Sequence, residues 1–199
     1  MQPRTHWLYS HAATVIAALA MLFASANAAT VSGVTYTYDA NPPNDARYPD
    51  TGFVELTDGI LATSGGFGNA AFAGFNSIEP VITFDLGSTY QIDNIDFQYG
   101  EGTRWSPSQI HVSSSVDGIS YSSAETFVVG NGPSSLVTVN LDVSPLPSGR
   151  YYQITVERAS QWLFLSEVTF DAVPEPNSLT LLGLGGLGFC LRRRRQPAA

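Results

Sequence analysis

The chain has 199 residues, with 17 acidic side chains against nine arginines and no lysine, so its formal net charge at neutral pH is −8. Residues 29–172 alone hold sixteen acids and four arginines, a formal charge of −12. A surface this acidic repels phosphate backbones, which argues against nucleic acid as a partner, and it favours cations.

The first 28 residues have the features of a secretory signal peptide. Arg4 supplies a short positive start, residues 12–24 form a small apolar stretch, and Ala26-Asn27-Ala28 fits the A-x-A pattern of a cleavage site. A transmembrane anchor, the alternative, needs a longer apolar span. The sequence therefore predicts export, with a mature chain that begins at Ala29.

Residues 29–172 are predicted to form one all-β domain. Their length suits a single domain, and β-branched and aromatic residues alternate with polar ones between turns spaced as in a sandwich or barrel. In the stretch ITFDL, Ile82, Phe84 and Leu86 are expected to face one way. The only cysteine, Cys190, lies outside this region, so the domain has no internal disulfide. The predicted strands span residues 34–38, 81–86, 90–99, 108–114, 120–129, 136–143, 151–158 and 164–171.

Turns and loops are also visible in the sequence. The stretches DLGSTY and SSVDGISY each place a glycine where a strand connection requires a positive φ. Residues 41–75 are rich in Gly, Asn, Pro and Ala and are long for a stretch without regular structure, which is typical of a functional loop or of disorder.

Exposed aromatic rings beside polar groups are candidates for a ligand-binding surface, because a ring offers an apolar face while the polar groups supply hydrogen bonds. The best candidate is Trp105, beside Arg104 in the loop GEGTRWSP. The alternative is that the tryptophans are buried at the ends of the sandwich, which we favour for Trp162. The full set of predicted ligand-binding residues is Arg104, Trp105, Trp162, Phe67 and Phe72.

No motif indicates catalysis. The one histidine of the predicted domain, His111, falls on the polar face of its strand, and no GxSxG motif is present. Among sixteen acids, many pairs are open to glycoside hydrolysis, but no pattern selects one. The predicted domain is therefore taken as non-catalytic, with no catalytic residue assigned.

Several motifs together resemble the discoidin-like modules, which are also called coagulation factor V/VIII type C or galactose-binding-like. They are an early Asp-Gly, a DLG at the end of an early core strand, an S-x-D-G hairpin and a Glu in the last strand, in that order within residues 48–172. The resemblance implies a jelly-roll β-sandwich that binds sugars or lipid headgroups. It also implies a structural calcium ion, with Asp58, Thr63 and Glu167 at the ligand positions.

Calcium prefers six to eight oxygen ligands, and loop carbonyls can complete the set that these residues begin. The alternative is that Asp58 only shapes the turn before Gly59 and that Glu167 faces solvent.

The C-terminal segment contains a Pro-Glu-Pro step, an apolar run and an arginine cluster. The apolar run, residues 178–191, is shorter than the about twenty residues of a relaxed membrane span. After export of the domain, the arginines would lie on the cytoplasmic side of the membrane. The residues of this motif are Pro174, Glu175, Pro176, Arg192, Arg193, Arg194 and Arg195.

Residues 173–195 resemble the PEP-CTERM sorting signal of Gram-negative bacteria, in which the apolar run is a hydrophobic helix. The resemblance implies an exosortase-type processing enzyme as a partner, a transient stay in the inner membrane, and transfer to the cell surface or extracellular matrix. A plain membrane anchor, the alternative, does not need the Pro-Glu-Pro.

Together these features predict an exported, surface-sorted binding or extracellular-matrix protein with exopolysaccharide as its ligand. Two alternatives stay open. One is a purely structural extracellular protein without a specific ligand, and the other is a hydrolase on a β-sandwich scaffold.

Overall fold

Alternating apolar and polar residues build antiparallel β-strands along the chain. The structure, a computed structural model, describes residues 28–39, 45–64, 69–100, 105–129 and 136–173. Within these ranges the strands are β1 (Ala29–Thr30), β2 (Thr35–Tyr38), β3 (Ala73–Asn76), β4 (Val81–Tyr90), β5 (Ile92–Gly100), β6 (Pro107–Ser115), β7 (Glu125–Val128), β8 (Leu136–Asp142), β9 (Gly149–Arg158) and β10 (Trp162–Ala172).

The strands form two five-stranded sheets in which every pairing is antiparallel. Sheet A has the order β1-β10-β5-β8, and β3 also pairs with β10. Sheet B has the order β2-β4-β9-β6-β7. Strand β10 therefore organises sheet A, because it pairs with β3 near its start, with β1 at its end and with β5 along its length.

The core lies between the inner faces of the two sheets. Ile82, Phe84 and Leu86 of β4 are all buried on one face, as their alternation predicts. Across the core, Phe170 of β10 contacts Phe84 with the ring centroids 5.2 Å apart, and contacts Tyr152 of β9 at 5.8 Å. Aromatic rings from the two sheets thus pack against each other in a core that contains no disulfide.

The two predicted glycine turns adopt the expected conformation. Gly87 has φ +76° and Gly118 has φ +73°. Positive φ values of this size are unfavourable for residues that have a Cβ atom. Beside Gly118, one carboxylate oxygen of Asp117 accepts the backbone N–H groups of Ile119 and Ser120, each at 2.9 Å. These hydrogen bonds hold the pKa of Asp117 down at about 2 and fix the hairpin between β6 and β7.

Strand β10 is buried on both faces over much of its length. A register shift between Leu165 and Glu167 marks a bulge against β5. The segment that runs from Leu56 to Ala62 lies on the outer face at this bulge, where the carbonyl of Leu56 accepts the N–H of Val168 at 2.8 Å. Glu167 is buried because this segment covers it.

The fold class predicted from the sequence is confirmed: the described residues form an all-β sandwich of two antiparallel sheets. Each predicted strand corresponds to an observed one, whereas β1 and β3 were not predicted. In the described ranges, which include no part of the predicted hydrophobic sorting helix, no helix is long and apolar enough to cross a membrane.

Candidate functional site

The end of the sandwich at which β10 begins is the candidate binding surface, and we call it the loop end. In sheet A, Gly100 at the close of β5 lies opposite Leu136, and in sheet B Pro107 lies opposite Arg158. The connection from β5 to β6 and the connection from β9 to β10 therefore both belong to this end.

The opposite end carries both ends of the domain, and we call it the terminal end. Here Ala29 pairs with Ala172 in sheet A. The N–H of Val173 donates to the carbonyl of Gln91 at 2.8 Å. The loop end is thus the part of the domain that lies farthest from the points where the chain enters and leaves it.

A second apolar cluster fills the loop end, separate from the core between the sheets. The Trp162 and Phe164 rings stack almost parallel, 5.5 Å apart with 4° between their planes. Tyr48 meets Phe164 edge-on at 4.7 Å. Gly74 permits this packing, since a Cβ there would lie 2.7 Å from Cβ of Tyr48. The buried members of the cluster are Tyr48, Ala62, Phe72, Trp162 and Phe164.

An exposed arginine lies over this cluster. The guanidinium carbon of Arg47 lies 5.1 Å from the centre of the Trp162 ring, a cation-π contact. Its Nε and Nη2 atoms donate to the two carboxylate oxygens of Asp45 at 2.6 and 2.7 Å. Hydrogen bonding to Arg47 lowers the pKa of Asp45. The Arg47 side chain nevertheless stays 63% exposed, so its remaining donors face solvent.

Amide and hydroxyl groups lie at the same end, where β3 and β10 meet. Oδ1 of Asn76 accepts Nε2 of Gln161 at 3.2 Å and Oγ of Ser77 at 3.3 Å. Ser77 has φ +58°, a left-handed conformation that is uncommon for residues other than glycine. Its N–H donates to the carbonyl of Gln161 at 2.7 Å, which holds this turn in place.

Trp105 lies half-buried at the rim of the cluster. Its ring meets Phe164 edge-on at 6.3 Å, and Leu136 packs against the same cluster. The ring of Trp105 is therefore only partly exposed, whereas the sequence analysis predicts an exposed ring. Arg104, its predicted neighbour in the site, lies outside the described residues.

Two predicted ligand-binding rings are buried, and the structure corrects both. Trp162 is 9% exposed, because Phe164 stacks on its ring and Arg47 covers it, as the burial alternative expected. Phe72 is fully buried against Phe164. Neither ring offers a free face to a sugar. Phe67 lies outside the described residues.

The sequence analysis missed Asp45 and Arg47. The stretch NDARYP contains both within residues 44–49, and the Asp-x-Arg spacing suits an ion pair. The pattern gives no hint of Trp162, which only the fold brings beside Arg47.

Two of the predicted calcium ligands lie together. The N–H of Gly59 donates to Oε2 of Glu167 at 3.2 Å, and Glu167 is buried, which corrects the alternative that it faces solvent. Burial raises the pKa of Glu167 to about 7, and the charge of the nearby Asp58 adds to the rise against the hydrogen bond from Gly59. Oδ1 of Asp58 accepts the N–H of Ile60 at 2.8 Å, so it also shapes the turn.

The donor set fits a hard cation in part. Glu167 is a buried carboxyl group with a raised pKa, and it lies beside a second carboxylate, Asp58. A cation bound there would offset the repulsion between the two negative charges. Thr63 is exposed just beyond Ala62, whose N–H is fixed by Gln98 and Ser166. Among the described residues, no three His, Cys, Asp or Glu side chains form a metal-binding group. Calcium here would therefore need hydroxyl and carbonyl oxygens besides Asp58 and Glu167.

His111 lies on the outer face of sheet B, as its position in the strand predicts. Its Nδ1 is 2.8 Å from Oγ1 of Thr126, and its Nε2 is 3.1 Å from Oε1 of Glu157. These partners come from the neighbouring strands β7 and β9. His111 therefore links β7 to β9 through side-chain contacts on the outer face of the sheet.

Comparison with known proteins identifies the C-terminal segment. The PEP-CTERM protein-sorting motif matches residues 172–195. This part of the chain carries the PEP-CTERM motif. Its Pro-Glu-Pro step and its four arginines, the predicted sorting residues, lie outside the described residues. No curated protein sequence matches the chain.

Solved structures identify the fold of the domain. The C-terminal domain of a chitobiase from Bacteroides fragilis matches with a TM-score of 0.56 at 13% identity, over 75% of this chain and 99% of that one. A factor V/VIII type C domain from the same organism matches with a TM-score of 0.54 at 11% identity, over 75% and 97%. The domain has the discoidin-like fold.

A third similar structure is a family 32 carbohydrate-binding module. It comes from Clostridium perfringens NanJ and was solved in complex with galactose. Its TM-score is 0.51 at 11% identity, and the match covers 73% of this chain and 98% of that one. The discoidin-like fold predicted by resemblance is thus confirmed.

Proposed function

We propose that this protein is exported, sorted to the cell surface and binds exopolysaccharide without catalysis. The observation that carries the proposal is the composition of the loop end, where Trp105, the partly exposed ring of the aromatic cluster, lies at the same end as the exposed donors of Arg47 and the amides of Asn76 and Gln161. Aromatic surface beside convergent polar groups is what a sugar requires. The discoidin-like fold supports the assignment, since one similar structure is a carbohydrate-binding module that holds galactose.

The C-terminal motif supports display on a cell. The domain enters at Ala29 and leaves at Val173, both at the terminal end, and the PEP-CTERM motif follows directly. An exosortase-type enzyme that processes this motif would pass the exported domain to the cell surface. Surface sorting of a sugar-binding domain would place it where an extracellular matrix is made.

A calcium ion is proposed as a structural cofactor, held by Asp58, Thr63 and Glu167. The support is the buried carboxyl group of Glu167 in β10, which lies beside Asp58. Asp58 belongs to the segment that covers β10. The ion would neutralise both carboxylates and tie the covering segment to the sheet.

A glycan array tests the binding function. The purified protein is applied in buffer with calcium and in buffer with chelator, and the exopolysaccharide isolated from the producing strain is printed beside reference glycans. Retention on at least one polysaccharide is expected. If the folded protein is retained on none in either buffer, the binding function is wrong, and the purely structural alternative stands.

A further inference from the structure

Two neighbouring carboxyl groups, Asp50 buried and Glu55 half-buried, lie between β2 and the segment that covers β10, and neither the sugar surface nor the calcium proposal uses them. Asp50 is 8% exposed. Its Oδ2 accepts the hydroxyl groups of Tyr36 at 2.6 Å and of Tyr38 at 2.5 Å. Its Oδ1 accepts the N–H groups of Val54 at 3.1 Å and of Glu55 at 3.4 Å. These donors favour the ionised form of Asp50.

The second carboxyl group, Glu55, is in a different situation. Its Oε1 accepts the N–H of Thr51 at 2.8 Å, which closes residues 51–55 into a loop. Its Oε2 is buried and accepts no hydrogen bond from any group that the structure describes. An ionised carboxylate oxygen buried without a donor is costly, whereas a protonated one can donate. The neighbouring acceptor is the carboxylate of Asp50.

The electrostatics of the pair agree with this geometry. Burial and the neighbouring Asp50 raise the pKa of Glu55. Burial also opposes ionisation of Asp50, but the hydrogen bonds from Glu55, Tyr36 and Tyr38 outweigh it and lower its pKa. Those two tyrosines are the titratable groups that face the pair, and burial raises the pKa of each. Neither Asp50 nor Glu55 forms an ion pair with an arginine in the described part of the chain.

The loop that the pair closes has a backbone that needs to be held. Gly52 has φ +85° and Phe53 has φ +57°, and two successive residues in this region are unusual. Phe53 is 44% exposed and meets Tyr38 edge-on at 5.7 Å. Tyr36 also accepts the N–H of Leu56 at 3.1 Å, so the same hydroxyl network ends at the start of the covering segment.

We infer that Asp50 and Glu55 share one proton and act as a pH-sensitive latch, which keeps residues 50–56 closed and releases them when the proton is lost. With the proton present, Glu55 donates to Asp50 and the loop holds Phe53 against Tyr38. Without it, the buried carboxylate of Asp50 and the half-buried carboxylate of Glu55 repel each other, and the loop opens. The latch is independent of sugar binding, because its residues lie beside β2 rather than in the aromatic cluster of the loop end.

The direction of the pH effect follows from the two shifts. A pKa of Glu55 raised by folding contributes stability that is lost as the pH rises from the ordinary carboxyl value through the raised one. The lowered pKa of Asp50 contributes stability that is lost as the pH falls through that lowered value. The loop is therefore most firmly closed between the lowered pKa of Asp50 and the raised pKa of Glu55, and it opens as the pH rises through the raised pKa of Glu55.

Amide hydrogen exchange of the full-length protein tests the latch, measured at several values between about pH 5 and about pH 9 and corrected for the intrinsic exchange rate. The peptide that covers residues 51–56 should lose protection as the pH rises in the wild-type protein. In Glu55→Gln it should stay protected throughout, because the amide donates to Asp50 as the protonated acid does. Glu125→Gln, the same change on an exposed residue of β7, should behave as the wild type does.

A second measurement keeps the test independent of the variant. Carbon NMR of the labelled side-chain carboxyl group of Glu55 should show titration above the ordinary range for Glu, coupled to a response at Asp50. An ordinary titration of Glu55, or the same loss of protection in Glu55→Gln as in the wild type, would overturn the latch.

Discussion

The backbone N–H of Gly59 lies 3.2 Å from Oε2 of Glu167, although 108 residues separate the two in the chain. This contact joins an early loop to the last strand and buries a carboxyl group on the outer face of a sheet that would otherwise meet water. Two of our predictions concern this junction, and the others concern the loop end.

Removal of the Glu167 carboxyl group should destabilise the domain. The Glu167→Ala variant leaves the N–H of Gly59 without its acceptor, and a buried donor left unpaired costs about 1–3 kcal/mol. The free energy of unfolding, measured in urea without calcium at about pH 5, where Glu167 is protonated and adds no buried charge, should fall by about that amount. Glu125→Ala, at an exposed position of β7, should change it by less than about 0.5 kcal/mol. Equal effects of the two changes would show that the junction contributes nothing.

Calcium should stabilise the protein more strongly as the pH rises. Because folding raises the pKa of Glu167 to about 7, the metal-free protein loses stability as the pH increases from the ordinary Glu value through about 7. A cation competes with this proton, so its binding strengthens over the same range. Saturation a hundredfold above Kd would add about 2.7 kcal/mol.

The measurement is the melting temperature with calcium and with chelator, at about pH 5 and about pH 8. The difference between the two buffers should be larger at the higher pH in the wild type and absent in Glu167→Ala. Identical melting in both buffers at both pH values would rule out the calcium site.

The two tryptophans of the loop end should differ in their contribution to stability. Trp162 is almost fully buried and stacked on Phe164, so Trp162→Ala should cost about 3–5 kcal/mol. Trp105 is half-buried and meets Phe164 only edge-on, so Trp105→Ala should cost clearly less. The urea midpoints of the two variants provide the comparison, and a larger loss for Trp105→Ala would contradict the packing described.

Gly74→Ala should disrupt the same cluster. The added Cβ would lie 2.7 Å from Cβ of Tyr48 and 3.1 Å from the Phe164 ring, so strand β3 has to move away from the aromatic cluster. Overpacking of this kind costs about 1–3 kcal/mol. Ala70→Ser, at an exposed position in the same part of the chain, is the control and should be nearly neutral. A melting temperature equal to that of the wild type would show that the cluster yields without cost.

Much of the fold could be predicted because its signals are local. The alternation of Ile82, Phe84 and Leu86 is a property of one strand, and the positive φ of Gly118 is a property of one turn. Strand β3 was missed because its four residues, AGFN, are short and include a glycine. They form a strand only because β10 supplies the partner.

The site was harder to predict because exposure is decided by distant parts of the chain. Phe72 lies in a Gly-rich stretch that suggests a surface loop, yet Phe164 buries it. Arg47 gains its position over Trp162 only after folding. Asp58 and Glu167 were predicted to lie in one site only because the order of motifs resembles that of the discoidin-like modules. Charge and spacing alone do not bring the two together.

Retention on exopolysaccharide tests the central claim most directly, because the chain contains two arginines in matched surroundings. Arg47 pairs with Asp45 and lies 5.1 Å from the Trp162 ring at the loop end, whereas Arg150 pairs with Asp85 and lies 5.0 Å from the Tyr151 ring, away from the loop end. Affinity electrophoresis through a gel that contains the producing strain's exopolysaccharide measures the dissociation constant of each alanine variant. Arg47→Ala should bind roughly tenfold more weakly or worse, the loss expected for a charged hydrogen-bond donor, and Arg150→Ala should bind as the wild type does. Wild-type retention of Arg47→Ala, or an equal loss in Arg150→Ala, would contradict a sugar-binding surface at the loop end.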